Sequence, residues 1–439
     1  MASESEHAAT LRRIFSTTSS SESQTEKHTP DQPSDSNRPP EIFRNIGRGT
    51  CGSVYEMSAT NRCIKLGRQW PVMLKDFQRA KSAWESVNLL QPRLTQHFLE
   101  LGASISVPNV PRPYHYNMNC LGALARYEKQ NCSGRNNGPA RSTLPTSHSR
   151  GRPGYVMERI PPIPTSARVA LVKEMLDDAG QAEFLSDQEN EDCLIRPYFG
   201  QSKADGASIN TLRNLPLYAD QMDGIGLDTK TLVIELAVGL AIIHWHALLD
   251  GKGVEFVLSA SGLPQDPRKS DMDYGPDRQA PEFVTDTSRR ETHLWMLDFD
   301  KAKKLAILDM RREELIQRLV KATGGNDPYF PWPYINTKLW DSFAWAYEEA
   351  GQVAIQAKID AGWDGSDSRK DLFDLPRAFI VALKNRFFYR AAEPENEQES
   401  ERAEREGDKD AHEAGPKDDE DDWVFDGRKL KAADLGRRE

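Results

Sequence analysis

At 439 residues, 28% of them charged and 38% hydrophobic, the chain is long enough to bury two or three domains' worth of core. Its formal net charge of −10 resides in residues 391–422, where fifteen Asp or Glu face four Lys or Arg, so the remainder is close to neutral. No dense Lys/Arg stripe interleaves with aromatic residues, which argues against a nucleic-acid partner. The five cysteines include no C-x-x-C pair, which indicates reduced thiols in an intracellular protein of the cytoplasm or nucleus.

Four segments are polar enough to lie outside any core. Residues 1–40 are rich in Ser, Thr, Glu and Pro, and we expect a disordered N-terminal arm. Residues 391–439 predict an acidic disordered tail, which is the candidate contact for a protein partner. The stretches 122–152 and 260–292 are rich in small, polar and charged residues, so we expect surface insertions there.

Strand patterns dominate the first part of the body. Alternating apolar residues over 41–66 predict three short strands separated by polar turns. Helical spacing over 72–91 predicts a helix, and GYVMERI (154–160) predicts a buried strand. Together these segments predict a β-rich N-terminal lobe over 41–160.

Helical patterns dominate the remainder. The most apolar stretch, TLVIELAVGLAIIHWHALL (231–249), contains Glu235 and two histidines, so it predicts a buried helix and no membrane contact. Strand patterns at 255–259 and 293–299 then precede helical spacing that continues to residue 390. The order predicts an α+β fold of two lobes, the second mainly helical over 161–390.

The stretch IGRGTCGSVYE (46–56) contains Gly47, Gly49 and Gly52, followed by Val54. This spacing is typical of a loop whose backbone N–H groups close over phosphates, although ordinary turns share it about as often. Lys65 lies thirteen residues after Gly52 between apolar neighbours of a predicted strand, where it could pair with phosphates or lie at a strand edge.

Two further residues extend this candidate nucleotide site. Glu85 lies on the predicted helix, where it is either an ion-pair partner of Lys65 or a solvated charge. Glu158 lies near the end of the strand GYVMERI (154–160), and an edge strand there would offer backbone groups of residues 158–160 to a purine ring.

Acidic residues follow two apolar segments in the second lobe. Asp250 ends the predicted buried helix, and Glu255 follows five residues later. Asp298 and Asp300 end the strand pattern LWMLDFD. Carboxylates of this kind could hold Mg²⁺ or position a hydroxyl group, or each could simply cap a loop.

In this order the motifs resemble those of the protein-kinase-like superfamily over nearly all of 41–390. IGRGTCGSVYE looks like its glycine-rich loop, CIKLG like its phosphate-binding strand and YVMERI like its hinge. The resemblance implies a two-lobed kinase-like fold, a small antiparallel-sheet lobe plus a larger helical lobe, with ATP and Mg²⁺ as cofactors. It places Lys65 on the phosphates, Asp250 in the catalytic loop, and Asp298 with Glu255 on the metal. VEFVLS, LWMLDFD and NDPYFPWPY also resemble uncharacterised fungal proteins sometimes labelled zinc-finger proteins, although no ligand set here supports that label.

The chain departs from the kinase pattern at three places. Leu248 and Leu249 replace the first two residues of H-R-D, Glu255 stands where the second metal ligand Asn is expected, and Asp300 replaces the Gly of D-F-G. Two functions therefore stay open. One is phosphoryl transfer from ATP to a small molecule or a protein hydroxyl, and the other is a catalytically impaired pseudokinase that acts as an interaction module.

Overall fold

The computed structural model describes residues 5–17, 43–49, 51–57, 60–124, 126, 144, 151–176, 178–202, 209, 211–261, 290–326, 328–363, 369–392, 423–425 and 428–430. The chain divides into two units, Met1–Tyr389 and Arg390–Glu439. Within the described residues, no helix has the length and apolarity needed to cross a membrane. Most of the predicted insertions and of the predicted tail lie outside these residues.

The N-terminal arm is not disordered throughout, which corrects the prediction for 1–40. Helix α1 (Glu6–Ile14) begins at Ser5, whose side chain accepts hydrogen bonds from two backbone N–H groups of the first turn. Leu11, Ile14 and Phe15 are fully or almost fully buried in the main core. Their i, i+3, i+4 spacing was a readable helix signal, but the polar composition of the whole arm hid it.

A five-stranded antiparallel sheet follows. Its strands are β1 (Phe43–Arg48), β2 (Gly52–Met57), β3 (Arg62–Gly67), β4 (Pro113–Asn117) and β5 (Gly154–Glu158), in the spatial order β1–β2–β3–β5–β4. Ile64 and Leu66 face a small core of their own, which includes Leu121. Because strand side chains alternate, Lys65 points to the opposite face, in register with Val54 on β2 and Tyr155 on β5.

Helix α2 (Trp70–Glu100) connects β3 to the rest of the sheet and is longer than predicted. Its buried residues recur at helical spacing: Met73, Leu74, Asp76, Arg79, Ala80, Ala83, Ser86, Val87, Leu90, Leu94 and Phe98. Most of them are apolar, and Asp76 is the acidic residue among them. A carboxylate in a core stripe is costly unless it is paired, so this position requires a nearby cation.

A second sheet and a set of helices form the remaining body. The helices are α3 (Thr165–Met175), α4 (Asp178–Ser186), α5 (Ala219–Gly224), α6 (Thr229–Trp245), α7 (Arg312–Gly324), α8 (Thr337–Asp360), α9 (Arg369–Phe373) and α10 (Leu375–Ala392). The strands are β6 (Ile195–Tyr198), β7 (Leu215–Tyr218), β8 (Glu255–Ala260) and β9 (Thr292–Leu297), in the order β7–β6–β8–β9. The β6–β7 pair is parallel and the other pairs are antiparallel. The predicted buried helix is confirmed as α6, and the fold is a mixed α+β fold.

In the second unit, two short strands pair antiparallel. They are β10 (Trp423–Phe425) and β11 (Arg428–Leu430). The predicted disordered tail therefore contains a hairpin among its described residues.

Candidate functional site

Lys65 is the centre of a buried charge cluster between the five-stranded sheet and the end of β9. Its Nζ lies 2.7 Å from Asp298 Oδ1 and 2.7 Å from Asp76 Oδ2. Burial by itself lowers the pKa of Lys65, but the charges of Asp298 and Asp76 outweigh it and hold the pKa well above its ordinary value. Lys65 is therefore a fixed ammonium group, as a phosphate-binding lysine must be.

Asp76 is the helix carboxylate of this cluster. Its side chain is 1% exposed, and its Oδ2 also accepts a hydrogen bond of 3.0 Å from the hydroxyl of Tyr155. Burial raises the pKa of Asp76, and the Lys65 ammonium offsets part of that increase. The ion pair thus joins α2, which carries Asp76, to β3, which carries Lys65.

The prediction that Glu85 holds Lys65 was wrong. Glu85 lies 3.9 Å from Lys81 in a surface pair, and its side chain is 56% exposed. Glu85 follows Asp76 by about two and a half helical turns, so the two side chains point to opposite sides of α2. The missed signal was Asp76, the one acid among the mostly apolar buried residues of α2.

The loop after β9 brings two carboxylates to the cluster. Asp298 has φ of 64°, which is an uncommon conformation for a residue other than glycine. Arg79 of α2 donates a hydrogen bond of 2.7 Å to the backbone oxygen of Asp300. Both carboxylate oxygens of Asp300 are buried and accept no hydrogen bond from any described residue. Three carboxylates therefore lie around two cations, the Lys65 ammonium group and the Arg79 guanidinium group, which leaves an excess of one negative charge.

The predicted glycine-rich loop forms the β1–β2 hairpin, with Gly49 N–H donating to Gly52 O at 2.9 Å. A Cβ atom at Gly52 would lie 2.4 Å from Leu66 O, so strand packing alone requires this glycine. A Cβ atom at Gly47 or Gly49 would meet only ordinary contacts or open space. Folding therefore explains Gly52, whereas Gly47 and Gly49 leave room for a ligand to approach the backbone.

Glu158 does not lie on an edge strand, which corrects the predicted purine contact. β5 lies between β3 and β4. Glu158 N–H donates to Arg112 O at 2.9 Å, and Arg159 N–H donates to Asn61 O at 2.8 Å. Residues 161 and 162 are prolines, which have no backbone N–H group. Between Glu158 and Ile163, the remaining backbone N–H group that could donate to a purine ring is therefore that of Ile160.

Asp250 is engaged in its own loop. Its side chain is 5% exposed, and Oδ1 accepts backbone hydrogen bonds from Lys303 at 2.8 Å and Lys252 at 3.2 Å. Its Oδ2 lies 3.3 Å from Arg318 Nε. Through these contacts the Asp250 carboxylate joins two loops. The predicted catalytic role would instead require a carboxylate that can reach an acceptor hydroxyl group.

Glu255 is likewise paired, because its Oε2 lies 2.6 Å from Arg196 NH2. A metal ligand at this position would have to compete with a guanidinium group. Asp298 and Asp300 are the better candidates for Mg²⁺, which usually takes one or two protein carboxylates together with phosphate oxygens and water. No group of three or more His, Cys, Asp or Glu side chains is arranged to hold a metal ion in the part of the chain that the structure describes.

Residues 294–358 match a model of a domain family of unknown function whose description reads "zinc finger protein". No curated protein and no solved structure matches the chain. The matched segment contains the Asp298–Asp300 loop but neither cysteine nor histidine. Since zinc fingers bind their metal through these two residue types, the label has no ligands to rest on within the matched residues.

Proposed function

We propose that this chain has a two-lobed kinase-like fold and binds a nucleoside triphosphate with Mg²⁺ between the five-stranded sheet and the Asp298–Asp300 loop. The observation that carries the proposal is the position of Lys65, whose ammonium group is 2.7 Å from Asp298 on the sheet face that also carries Val54. Lys65 would contact the phosphates, and the glycine hairpin would cover them with its backbone N–H groups.

Electrostatics supports a cation at the same place. Asp76, Asp298 and Asp300 carry three negative charges against the two positive charges of Lys65 and Arg79, and the buried oxygens of Asp300 accept no hydrogen bond from the described residues. An unpaired buried carboxylate is costly, so the cluster is suited to a divalent cation. Asp298 and Asp300 would hold this ion, which would neutralise phosphate charge when bound.

Of the two functions that the sequence leaves open, the contacts favour a pseudokinase. Asp250 is buried with three partners, and Glu255 is paired with Arg196. Neither carboxylate has the freedom that acceptor positioning or a second metal site requires. We therefore propose nucleotide binding without efficient phosphoryl transfer, in an intracellular interaction module.

The test is thermal unfolding of the full chain with ATP, with and without Mg²⁺, beside a phosphate-release assay. Ligand at a hundred times its dissociation constant adds about 2.7 kcal/mol, which raises the melting temperature by a few degrees. We expect Gly49→Val and Asp298→Asn to lose the Mg²⁺-dependent increase, whereas Gly180→Val, an equally open position on α4, retains it.

The outcomes separate the two functions. Slow phosphate release that Asp250→Asn does not change would support the pseudokinase. Rapid release that Asp250→Asn abolishes would instead establish phosphoryl transfer. The absence of any stabilisation by nucleotides would sink the nucleotide-binding proposal itself.

A further inference from the structure

The segment that was predicted to contact a purine ring has most of its backbone groups engaged within the protein. The N–H groups of Glu158 and Arg159 both donate to backbone carbonyls. The Glu158 carbonyl accepts from the Cys63 thiol at 3.6 Å, and the Pro161 carbonyl accepts from the Ser259 hydroxyl. A base is recognised by hydrogen bonds to its edge, so a segment whose donors and acceptors are already engaged has few groups left for that task.

A network of ion pairs occupies the same end of the sheet. Glu56 on β2 lies on the Lys65 face of the sheet, with Arg44 opposite it on β1. Arg44 lies 2.7 Å from Glu56 and 2.6 Å from Asp192, and Arg159 lies 2.7 Å and 3.0 Å from the same two carboxylates. None of these four side chains is more than 20% exposed. This end of the face is therefore filled by paired charges, whereas a base needs apolar surface to lie against.

The other end of the face, next to the glycine hairpin, is more accessible. The Asp298 side chain beside the Lys65 ammonium group is 32% exposed. The backbone at Gly47 and Gly49 leaves room for a ligand to approach. Cys63, two residues before Lys65 on the same face, is only 2% exposed, so the protein already covers that position. The groups suited to phosphates are thus open, and the surface where a base would follow is covered.

We propose that the site recognises the triphosphate group of its ligand and does not distinguish between bases. The inference rests on the proposed nucleotide binding and names the ligand class within it. Lys65, the backbone N–H groups of the glycine hairpin and a Mg²⁺ ion on Asp298 would all contact phosphate oxygens. Every nucleoside triphosphate carries these oxygens in the same arrangement, so ATP, GTP, CTP and UTP bind alike.

The experiment measures thermal unfolding of the full chain with Mg²⁺ over a concentration series of each of the four nucleotides, of inorganic tripolyphosphate and of adenosine. We expect the four nucleotide dissociation constants to agree within about threefold, because even one hydrogen bond to a base would separate them by about fivefold. Tripolyphosphate should stabilise the protein as well, whereas adenosine at the same concentrations should not.

Two variants check that all these ligands share one site. Gly49→Val, in the hairpin, should lose the stabilisation by the four nucleotides and by tripolyphosphate together. Gly180→Val, at an equally open position on α4, is the matched control and should retain all of it. Loss of binding for one nucleotide alone in Gly49→Val would contradict a common phosphate site.

The outcomes distinguish this inference from the proposed function. A dissociation constant for one nucleotide at least about tenfold below the other three would overturn the inference and leave nucleotide binding intact. Binding of all four nucleotides without tripolyphosphate would also overturn it, because the shared ribose would then be the recognised group. The absence of stabilisation by any triphosphate would instead end the proposed function itself.

Discussion

Two buried charge clusters in this protein differ in whether their carboxylates accept hydrogen bonds. Glu235 of α6 and Arg290 form an ion pair with side chains 1% and 4% exposed, and Glu235 also accepts the backbone N–H of Ser106 at 2.8 Å. The Asp228 carboxylate is a second acid near this pair, and its oxygens accept hydrogen bonds from Thr17 and Thr231. In the Lys65 cluster, by contrast, the Asp300 carboxylate accepts no hydrogen bond from the described residues.

The difference separates a structural contact from a candidate site. A hydrogen-bonded ion pair loses stability when either partner is removed, because the other charge is left buried alone. A buried carboxylate that accepts no hydrogen bond is costly, so neutralising it stabilises the empty protein. The following predictions test this contrast in order of expected effect.

Removing Arg290 should have the largest effect. Arg290→Met leaves the Glu235 carboxylate buried without its cation, which costs about 3–5 kcal/mol of unfolding free energy. Urea denaturation measures it. The double variant Glu235→Gln/Arg290→Met should recover most of the loss, because Gln is neutral and still accepts from Ser106. A loss below about 1 kcal/mol in Arg290→Met would contradict the interpretation of a structural ion pair.

His244 provides a neutral buried group for comparison, because its Nδ1 lies 2.7 Å from the Tyr347 hydroxyl. Burial lowers the pKa of His244 to about 3. The pKa of this histidine in the unfolded chain is about 6.5, so below that pH the unfolded chain binds a proton there and the folded chain does not. The free energy of unfolding therefore falls as the pH falls.

The expected size of this effect is about 2 kcal/mol between about pH 7 and about pH 5. Urea denaturation at the two pH values should show that, at the lower pH, His244→Gln loses less unfolding free energy than the wild type does, by this amount. His115→Gln, at an exposed position of β4, is the matched control and should retain the wild-type dependence. Identical pH dependence in all three proteins would mean that His244 is protonated in the fold.

Neutralising Asp300 should have the smallest effect and the opposite sign. Asp300→Asn removes one excess charge from the Lys65 cluster, so the nucleotide-free protein should gain about 1 kcal/mol while the Mg²⁺-dependent gain with ATP decreases. Glu85→Gln is the control, because its surface pair with Lys81 contributes less than about 0.5 kcal/mol. Destabilisation by Asp300→Asn, measured by urea denaturation, would show that this carboxylate is already satisfied.

The comparison also explains which site residues could be read in advance. Lys65, Asp298 and the glycine hairpin are recognisable because each depends on a short local pattern, a strand alternation or a turn. The partner of Lys65 depends on which side of α2 faces the sheet. The spacing of the motif predicted Glu85, whereas the buried acid on that side of the helix is Asp76. Asp250 and Glu255 fit their motif spacing, yet Arg318 and Arg196, distant in sequence, decide their charge environment.

By itself the sequence determined the local elements of this protein. Periodicity of two specifies the strands that carry Lys65, and a continuous apolar run specifies the buried helix α6, since both depend on neighbours within a few residues. Only the tertiary structure decided that α1 packs into the core, that Asp76 holds Lys65, and that the Asp250 carboxylate joins two loops. Those contacts bring together residues from distant parts of the chain, and burial, which sets their charges and partners, exists only after the chain has folded.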